Sequence, residues 1–559
     1  MAFSSDLSYI HNPANKPYNY TTVAEAAREN AQLRPNQEIL VLRELDGSRS
    51  SLTNASLYQQ AEQLARYLVK QGIKKGETVA LLGPNTLEMA IATLGIIKAG
   101  AVVFTIVLNM KKEDVMAQLQ IVNAKFILVD CGKNDSFLIS FKAILDHCGA
   151  LTADPSTEHD IKVLSLRETD SYNVPVINQY MLSQNIAEAE LPHIYPEDNV
   201  IIFSTSGSTG IPKMVCHSNF DCANIEQRLT ENYQRIIFND RLFFWMMGSI
   251  VNTIMRSETR VILETNVTLN SPNIDFTWRI LKEETCSDAL LPSSEIRKLL
   301  EMPKSVAEDR FRLKYIHTCG EIIDNYCIRA VGQLCQEMVI LYGATECQDI
   351  SLKIISNFSE RLQTGNVGEP VAGVEIRVVD SQDNPIIRGL TGKIQVRSPL
   401  AMTGYVSDPE KTKEVFTEEQ WYRTGDIGKV SLNGNLIIQG REIEVVTRGS
   451  KRIYPSMLEA VFKDMEAIKE VCVVPVPDKK LHEEVCVCFV PCGKLTPEDV
   501  KQFFKENHSK AKTFGGSNEI PPYFLQFETF PKLGSGKLDK KAIRQQATST
   551  LELTMEYDS

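Results

Sequence analysis

The chain has 559 residues, more than one ordinary hydrophobic core accommodates, so two or more domains are expected. Hydrophobic residues form 43% of the chain and charged residues 23%, which is typical of a soluble globular protein. The formal net charge of −11 argues against a nucleic acid as the main partner, because phosphate backbones bind to basic surfaces.

The ends of the chain predict a cytoplasmic protein. The first residues lack the basic and apolar regions of a secretory signal, and the last carry no peroxisomal or endoplasmic-reticulum signal. No stretch reaches the roughly 18 apolar residues of a membrane span. The 13 cysteines include no Cys-x-x-Cys pair, so reduced and mostly packed thiols are expected rather than a zinc site.

The first 130 residues alternate short apolar runs with amphipathic stretches, which predicts a mostly parallel sheet covered by helices. Asn54 is expected to cap a helix with its apolar residues on one face. A second helix is predicted over residues 86–99. The predicted strands are residues 39–42, 78–82, 101–106 and 126–129.

Residues 199–213 place a glycine- and hydroxyl-rich loop directly after a predicted strand, residues 200–203. Glycines let main-chain amides turn toward an anion, hydroxyl groups add donors and a lysine adds charge, so the loop is typical of polyphosphate binding. A P-loop is excluded by spacing, since Pro212 stands at its second glycine and Met214 at its Ser or Thr. The alternative is a flexible surface loop.

Two later strands also end in residues suited to a nucleotide. Residues 316–321 end in Gly320 and Glu321, and residues 339–346 end in Tyr-Gly-Ala-Thr-Glu. An aromatic face such as that of Tyr342 suits a planar base, the Thr345 hydroxyl suits a phosphate, and the Glu346 carboxylate suits Mg²⁺. A strand end followed by a helix cap is the alternative for residues 342–346.

The last third of the chain predicts antiparallel strands followed by a smaller unit. Within Trp-Tyr-Arg-Thr-Gly-Asp-Ile-Gly, residues 421–428, Asp426 on a tight turn can accept both hydroxyls of a ribose. Asn433-Gly434 predicts a hairpin leading to Arg441. Further elements are expected at residues 471–476, 485–490 and 497–507, and Ser-Gly-Lys537 presents one mobile ammonium.

These motifs, in this order, resemble those of the adenylate-forming superfamily of acyl-CoA synthetases, adenylation domains and beetle-type luciferases. The resemblance covers roughly residues 20–545 and implies an α/β fold. A large N-terminal domain, residues 1–440, would combine layered, mostly parallel α/β subdomains with a β-subdomain and would bind ATP and the acid. A small, hinged α+β domain, residues 441–559, would close over it.

The implied reaction joins ATP and a carboxylic acid into an acyl-adenylate and then transfers the acyl group to coenzyme A. Two anions must approach each other, so cations and donors have to offset their repulsion. By the resemblance, the catalytic residues are Lys537, Thr345 and Glu346, and Glu346 holds Mg²⁺. The residues expected to bind ATP are Thr205, Ser206, Gly207, Ser208, Thr209, Gly210, Lys213, Gly320, Glu321, Tyr342, Gly343, Thr345, Asp426 and Arg441.

Two segments depart from the family pattern. Residues 239–263 look shortened, and Trp245 stands where a histidine or another aromatic residue is usual. The aromatic and methionine residues there form core or line a pocket for an apolar acid, with Trp245, Met246 and Gly248 as the pocket candidates. Near the hinge, Ile443 and Thr447 replace the usual Asp or Lys and the usual lysine. The residues assigned to the hinge and coenzyme A are Ile443, Gly449, Ser450 and Lys451.

The nearest resemblance is to a fatty-acid or medium-chain acyl-CoA synthetase, acting as a monomer or homodimer without a membrane span. Two alternatives stay open. One is a luciferase that adenylates and oxygenates a carboxylic luciferin. The other is a homologue that binds nucleotide or acyl group with impaired turnover, which the departures at Ile443 and Thr447 and the shortened segment at residues 239–263 would explain.

Overall fold

The computed structural model describes residues 6–108, 110–132, 142, 144, 161–168, 174–177, 189–205, 212–225, 234–265, 274–302, 310–360, 362–449, 451–507, 520–532 and 538–553. Within these residues the strands form three sheets, with helices packed against them. No helix in this part of the chain is both long enough and apolar enough to cross a membrane.

The strands, numbered along the chain, are β1 Tyr9–Asn12, β2 Glu38–Arg43, β3 Arg49–Thr53, β4 Thr78–Leu82, β5 Val102–Thr105, β6 Ala124–Val129, β7 Lys162–Ser165, β8 Asn199–Thr205, β9 Lys213–Ser218, β10 Ile236–Phe238, β11 Thr259–Leu263, β12 Asp288–Leu290, β13 Leu313–Cys319, β14 Cys335–Ala344, β15 Gln348–Ile355, β16 Asn366–Pro370, β17 Val374–Val379, β18 Gly392–Arg397, β19 Tyr422–Val430, β20 Leu436–Arg441, β21 Val446–Arg448, β22 Lys451–Ile453, β23 Ile468–Asp478, β24 His482–Pro491 and β25 Tyr523–Gln526.

The helices are α1 Val23–Leu33, α2 Asn54–Lys70, α3 Leu87–Lys98, α4 Lys112–Ile121, α5 Asn219–Ala223, α6 Ile250–Arg256, α7 Ile274–Glu283, α8 Ser293–Leu300, α9 Asn325–Ala330, α10 Pro409–Val415, α11 Pro455–Phe462, α12 Pro497–Asn507 and α13 Lys540–Thr550.

The first α/β layer is a six-stranded sheet in the order β7-β6-β4-β5-β8-β9. All neighbours run parallel except β8 and β9, which form an antiparallel hairpin. Every residue of β4 is buried, as expected for a strand covered on both faces. Helix α2 buries Leu57, Ala61 and Leu64 as predicted, but its cap is Thr53, whose side chain accepts from the Ser56 amide, and not Asn54.

The second layer is a 14-stranded sheet in the order β1-β17-β18-β19-β20-β16-β15-β14-β13-β12-β10-β11-β2-β3. Its centre, from β2 to β14, is parallel, and from β14 through β15 to β1 the strands run antiparallel. The sheet therefore joins a parallel half to the predicted β-subdomain, and the change of direction between β14 and β15 places residues 342–346 at that junction.

The third sheet contains only strands that follow residue 445, in the order β22-β21-β24-β23, with β25 beside β24. Helices α11 and α13 pack against β23. This α+β unit, together with the two larger sheets, confirms the predicted fold class. The exact boundary between residues 440 and 441 stays a prediction.

Candidate functional site

The β8–β9 hairpin carries the predicted phosphate-loop sequence. Thr205 ends β8 opposite Lys213, the first residue of β9, and the Thr205 hydroxyl donates to the Lys213 main-chain oxygen over 3.3 Å. Both ends of the loop are therefore fixed by strand pairing. Ser206, Gly207, Ser208, Thr209 and Gly210 lie outside the described residues, and their contact with phosphate stays a prediction.

Lys213, Tyr405 and Glu346 form a chain of contacts beside this hairpin. The Tyr405 hydroxyl donates to Glu346 Oε1 over 2.8 Å, and Lys213 Nζ lies 3.4 Å from the same hydroxyl. The ammonium also lies 4.7 Å from the centre of the Tyr405 ring, within cation–π range. Burial lowers the pKa of Lys213, and the nearby Glu346 carboxylate opposes that shift. One cation and one carboxylate thus lie where the predicted phosphate loop ends.

Tyr342, Gly343 and Ala344 end β14, and residues 345–347 turn the chain back into β15. Gly343 permits this turn, because a Cβ there would lie 2.4 Å from the Gln348 main-chain oxygen. His217 of β9 donates from Nε2 to the Thr345 main-chain oxygen over 2.8 Å, and its Nδ1 lies 3.4 Å from the Gln348 amide nitrogen. The helix cap considered for this segment is wrong, since the strand end is followed by the turn of a β-hairpin and not by a helix.

Asp426 forms a second cluster at the other end of the same segment. The Tyr342 hydroxyl donates to Asp426 Oδ2 over 2.6 Å, and Arg441 Nε lies 3.0 Å from Asp426 Oδ1. Burial raises the pKa of Asp426, although the Arg441 charge and the Tyr342 hydrogen bond oppose the shift. Each carboxylate oxygen keeps a second lone pair that can accept a ligand hydroxyl. Asp426 lies within β19, so its predicted place on a tight turn is wrong.

Gly320 and Glu321 follow β13. Gly320 has φ +85°, in the left-handed region that favours glycine. Glu321 Oε1 accepts from the Ser293 amide over 3.2 Å, at the start of α8, and its Oε2 lies 3.1 Å from Lys463 Nζ. Glu321 therefore joins the large sheet to the segment after α11, and its predicted contact with the purine stays a prediction.

The pocket candidates occupy a compact turn between β10 and α6. Trp245 precedes the 3₁₀ turn Met246–Gly248; Trp245 and Met246 are half-buried, and Gly248 is buried. A Cβ at Gly248 would lie 2.1 Å from the Leu242 main-chain oxygen, so only glycine fits this turn. Phe243 belongs to the core, while the two half-buried side chains keep part of their surface available to a ligand.

A buried arginine holds this turn in place. Arg260 of β11 is 0% exposed, and its guanidinium donates to the main-chain oxygens of Asn239, Arg241 and Gly248. Its charge also lies 5.0 Å from the centre of the Phe243 ring. Burial lowers the pKa of Arg260 to about 9, against the opposing effect of nearby carboxylates.

The hinge candidates lie where the chain passes from β20 into the third sheet. Ile443, in the 3₁₀ turn Glu442–Glu444, is 69% exposed. Gly449 has φ +59°, and β21 and β22 pair with Arg448 opposite Lys451. Ser450 and Lys537 lie outside the described residues.

Two contacts are described in the residues that flank Lys537. An antiparallel bridge joins Lys532 to Leu538. Lys540, the first residue of α13, lies 2.7 Å from Glu444 in the hinge turn. An ion pair therefore joins the start of α13 to the hinge turn.

Comparison with known proteins decides the family. The model of a family described as AMP-binding enzyme matches residues 27–406, more than half of the chain. The chain belongs to the AMP-binding enzyme family. The predicted resemblance is thereby confirmed. Lys213 and Glu346 lie within the matched residues, and Asp426 lies after them.

Relatives and solved structures agree with the family and the fold. The medium-chain acyl-CoA ligase ACSF2 of rat mitochondria is 26% identical over 575 residues, covering 98% of this chain and 91% of the relative. The amide bond synthetase McbA from Marinactinospora thermotolerans has a TM-score of 0.76 at 21% identity, covering 94% of this chain and 99% of that one. The anthranilate CoA ligase AuaEII, solved with anthranoyl-AMP, has a TM-score of 0.78 at 19% identity, and the match covers 96% of this chain and 99% of that one.

These findings make the chain an AMP-binding enzyme with ligases among its relatives. The solved structures with this fold include both an amide bond synthetase and a CoA ligase. The ACSF2 relative is mitochondrial, and the cytoplasmic location of this AMP-binding enzyme stays a prediction.

Sequence reasoning assigned no role to three residues that organise the site of this AMP-binding enzyme. Alternation along β9 places His217 on the same face as Lys213 and was a usable signal. Tyr405 lies in a turn-rich segment, where no periodicity indicates its direction. Arg260 lies in a five-residue strand that is buried throughout. Because charged residues are rarely buried without partners, an arginine in an apolar strand was a usable signal for a structural role.

Proposed function

We propose that this enzyme is an ATP-dependent carboxylic acid–CoA ligase, which forms an acyl-adenylate and then an acyl thioester. One observation carries the proposal: residues 342–346 have the Asp426 cluster at one end and the Lys213–Tyr405–Glu346 cluster at the other. The proposed ribose acceptor and the proposed phosphate-side residues thus contact opposite ends of one short segment, which supports the order in which ATP presents its ribose and its phosphates.

The Asp426 cluster fits the nucleoside. Asp426 would accept the ribose hydroxyls on lone pairs that Tyr342 and Arg441 leave available. Arg441 is 58% exposed on its side chain, so it can also meet a ligand phosphate without losing its ion pair. The Tyr342 ring, held by its hydroxyl on Asp426, would offer a face to the purine.

The Lys213 cluster fits the phosphates. Mg²⁺ is usually held by one or two carboxylates together with substrate phosphates, and Glu346 supplies one carboxylate beside the hairpin that carries the phosphate loop. A bound Mg²⁺ would supply charge to neutralise the leaving pyrophosphate. Lys213 would pair with the outer phosphates, and the Thr345 hydroxyl, whose main chain His217 fixes, would donate to the α-phosphate.

The acid is proposed to be apolar and of small or medium length. Trp245 and Met246 present apolar surface, and the turn that carries them is fixed by Arg260. The rat relative's medium-chain acyl-CoA activity supports the same substrate class. Two anions, the acid and the α-phosphate, meet here, and Lys537 is proposed to bridge them from the C-terminal domain, residues 441–559.

A panel of acids from acetate to dodecanoate tests this function. Each acid is mixed with ATP, Mg²⁺ and coenzyme A, and pyrophosphate release and acyl-CoA formation are measured separately. Pyrophosphate and thioester in equal amounts with an apolar acid are expected. Pyrophosphate without thioester would replace the thiol with another acceptor, and light with a carboxylic luciferin would favour a luciferase. If no acid of the panel gives pyrophosphate or thioester, the result would favour the homologue with impaired turnover that Ile443 and Thr447 suggest.

The variant Lys537→Ala tests the assignment of the bridging lysine. It should abolish adenylate formation but spare conversion of a supplied acyl-adenylate to the thioester. Lys532→Ala is the matched control, because Lys532 lies on the same segment and its ammonium is paired with Glu470 at 2.9 Å. Equal loss of both half-reactions in Lys537→Ala would refute the assignment.

A further inference from the structure

Tyr405 connects the two charged residues of the phosphate-side cluster. Its hydroxyl donates to Glu346 Oε1 at 2.8 Å and lies 3.4 Å from Lys213 Nζ, and the ammonium faces its ring at 4.7 Å. The side chain is buried, with 6% of the residue exposed. Tyr405 is therefore the common neighbour through which the carboxylate and the ammonium keep a fixed spacing.

The main chain around Tyr405 is held from three sides. The Tyr405 amide donates to the Thr412 hydroxyl over 2.9 Å, and the residue forms an antiparallel bridge with Val215 of β9. Three residues earlier, the Met402 amide donates to the Glu346 main-chain oxygen over 2.8 Å. The phenol is thus attached to β9 and to the Glu346 turn at once, and its position is determined by both.

The hydrogen bond constrains one carboxylate oxygen and leaves the other for a ligand. Glu346 Oε1 accepts from Tyr405, which fixes the rotation of the carboxylate and directs Oε2. Outer partners of this kind orient metal ligands in many sites, and their loss usually weakens metal binding.

We propose that Tyr405 is a positioning residue for the metal–nucleotide complex: it orients Glu346 toward the metal and holds Lys213 at a fixed distance from it. This rests on the proposed function, in which Glu346 binds Mg²⁺. Tyr405 itself touches neither substrate nor metal in this arrangement, and it acts through the two residues that do.

Tyr405→Phe removes only the hydroxyl and keeps the ring, so the cation–π contact and the packing stay. Mn²⁺, as a spectroscopic probe for Mg²⁺, is titrated by electron paramagnetic resonance onto the enzyme saturated with a non-hydrolysable ATP analogue. The expected result is about 10-fold weaker binding of Mn²⁺ to the enzyme complex than in the wild type. The KM for the acid should stay unchanged, because the acid is proposed to bind at Trp245 and Met246.

The matched control is Tyr9→Phe. Tyr9 donates to Glu375 over 2.6 Å, so this variant removes the same kind of phenol–carboxylate hydrogen bond far from the site. It should leave Mn²⁺ binding unchanged. The melting temperature without ligand is measured for both variants, and the decrease in Tyr405→Phe should be no larger than the decrease in Tyr9→Phe. The rise in melting temperature that Mn²⁺ causes should be smaller in Tyr405→Phe than in the wild type.

Glu346→Gln separates failure of this inference from failure of the proposed function. If Glu346→Gln binds Mn²⁺ like the wild type, Glu346 does not hold the metal, and the part of the proposed function that places Mg²⁺ and the phosphates at this cluster is wrong. If Glu346→Gln loses Mn²⁺ but Tyr405→Phe and Tyr9→Phe both keep it, the positioning role is overturned while the proposed function stands.

Discussion

His217 Nε2 donates to the main-chain oxygen of Thr345 over 2.8 Å, joining β9 to the turn between β14 and β15. The bond fixes the protonated nitrogen as Nε2, and Nδ1 then accepts from the Gln348 amide at 3.4 Å. His217 is 2% exposed, so water cannot replace either partner readily. This buried hydrogen bond therefore ties β9, the strand that follows the predicted phosphate loop, to the turn that carries Thr345.

Two amide substitutions separate the roles of the two ring nitrogens. The side-chain amide nitrogen of glutamine takes about the position of the histidine Nε2, and the side-chain amide nitrogen of asparagine takes about the position of Nδ1. His217→Gln should therefore keep the bond to Thr345 and change the KM for ATP little, whereas His217→Asn should raise that KM about 10-fold, the worth of one buried hydrogen bond. The measurement is ATP-dependent pyrophosphate exchange, and equal effects of both substitutions would contradict the role of this bond.

Asp426→Asn tests the ribose assignment. Asparagine keeps an acceptor for Tyr342 but loses the charge that attracts Arg441 and the second strong acceptor for a hydroxyl. ATP affinity should fall about 10- to 100-fold, as for loss of hydrogen bonds to a charged group. Isothermal titration with a non-hydrolysable ATP analogue measures this. Asp383→Asn is the control, because Asp383 also pairs with an arginine, Arg423 at 2.6 Å, outside the cluster.

The same residue predicts a pH dependence with a defined sign. Burial raises the pKa of Asp426, so the ionised carboxylate costs folding free energy at neutral pH, a cost relieved as pH falls through that pKa. Asp426→Asn should therefore melt at a higher temperature than the wild type at neutral pH while binding ATP more weakly. The ATP affinity of the wild type should decrease as Asp426 becomes protonated, so the difference in ATP affinity between the wild type and Asp426→Asn should narrow. A difference in ATP affinity that stays constant across acidic pH would contradict this.

Much of this architecture was predictable because it follows from local patterns. The buried strand β4 coincides with the predicted residues 78–82, and β8 and α12 lie where the apolar runs placed them. Such elements depend on side-chain periodicity and length, which the sequence contains. The order of the 14 strands in the large sheet depends on pairings between distant residues, and periodicity carries no information about those.

The site divides in the same way. Resemblance identified the motifs of Tyr342, Glu346 and Asp426, and the structure brings Tyr342 and Asp426 into contact, while their nucleotide contacts stay predictions. The tight turn expected for Asp426 was wrong, because the residue lies within a strand. The link from Glu321 to Lys463 was not predictable, because the two residues are 142 positions apart and meet only through the packing of α11. Exposed charged residues carry no pattern that would indicate such a partner.

The Glu321–Lys463 ion pair predicts how the C-terminal unit is held. The pair is partly exposed, with side chains 37% and 28% accessible, so it contributes about 0.2–1 kcal/mol. Lys463→Gln should loosen the contact and change the ratio of adenylation to thioester formation by up to about fivefold. It should also speed tryptic cleavage after Arg441, which is exposed.

The charge-swapped double variant Glu321→Lys with Lys463→Glu should restore both the ratio and the cleavage rate, if the ion pair is responsible. Lys532→Ala, which breaks the ion pair with Glu470 inside the C-terminal unit, should alter neither. Failure of the swap to restore the ratio would assign the effect to packing of the lysine stem instead.

Arg260→Lys tests whether the turn with Trp245 shapes the acid pocket. Three main-chain oxygens depend on the guanidinium, and one ammonium cannot reach all three positions. Leaving buried acceptors unsatisfied should cost about 3 kcal/mol of the free energy of unfolding, measured by urea denaturation. Arg279→Lys is the control, because its side chain is 55% exposed and it pairs only with Glu283 in the same helix among the ion pairs described.

The kinetic consequence of Arg260→Lys should be selective. The three described acceptors of the Arg260 guanidinium are main-chain oxygens of Asn239, Arg241 and Gly248, and none belongs to the Asp426 or Glu346 cluster. The KM for ATP should therefore stay near the wild-type value, measured below the melting temperature of the variant. The KM for the preferred acid should rise, and the discrimination between acids of neighbouring chain length should weaken, because Trp245 and Met246 lose their fixed backbone. Loss of ATP binding together with acid binding would indicate general loosening of the fold and would remove Arg260 from the account of specificity.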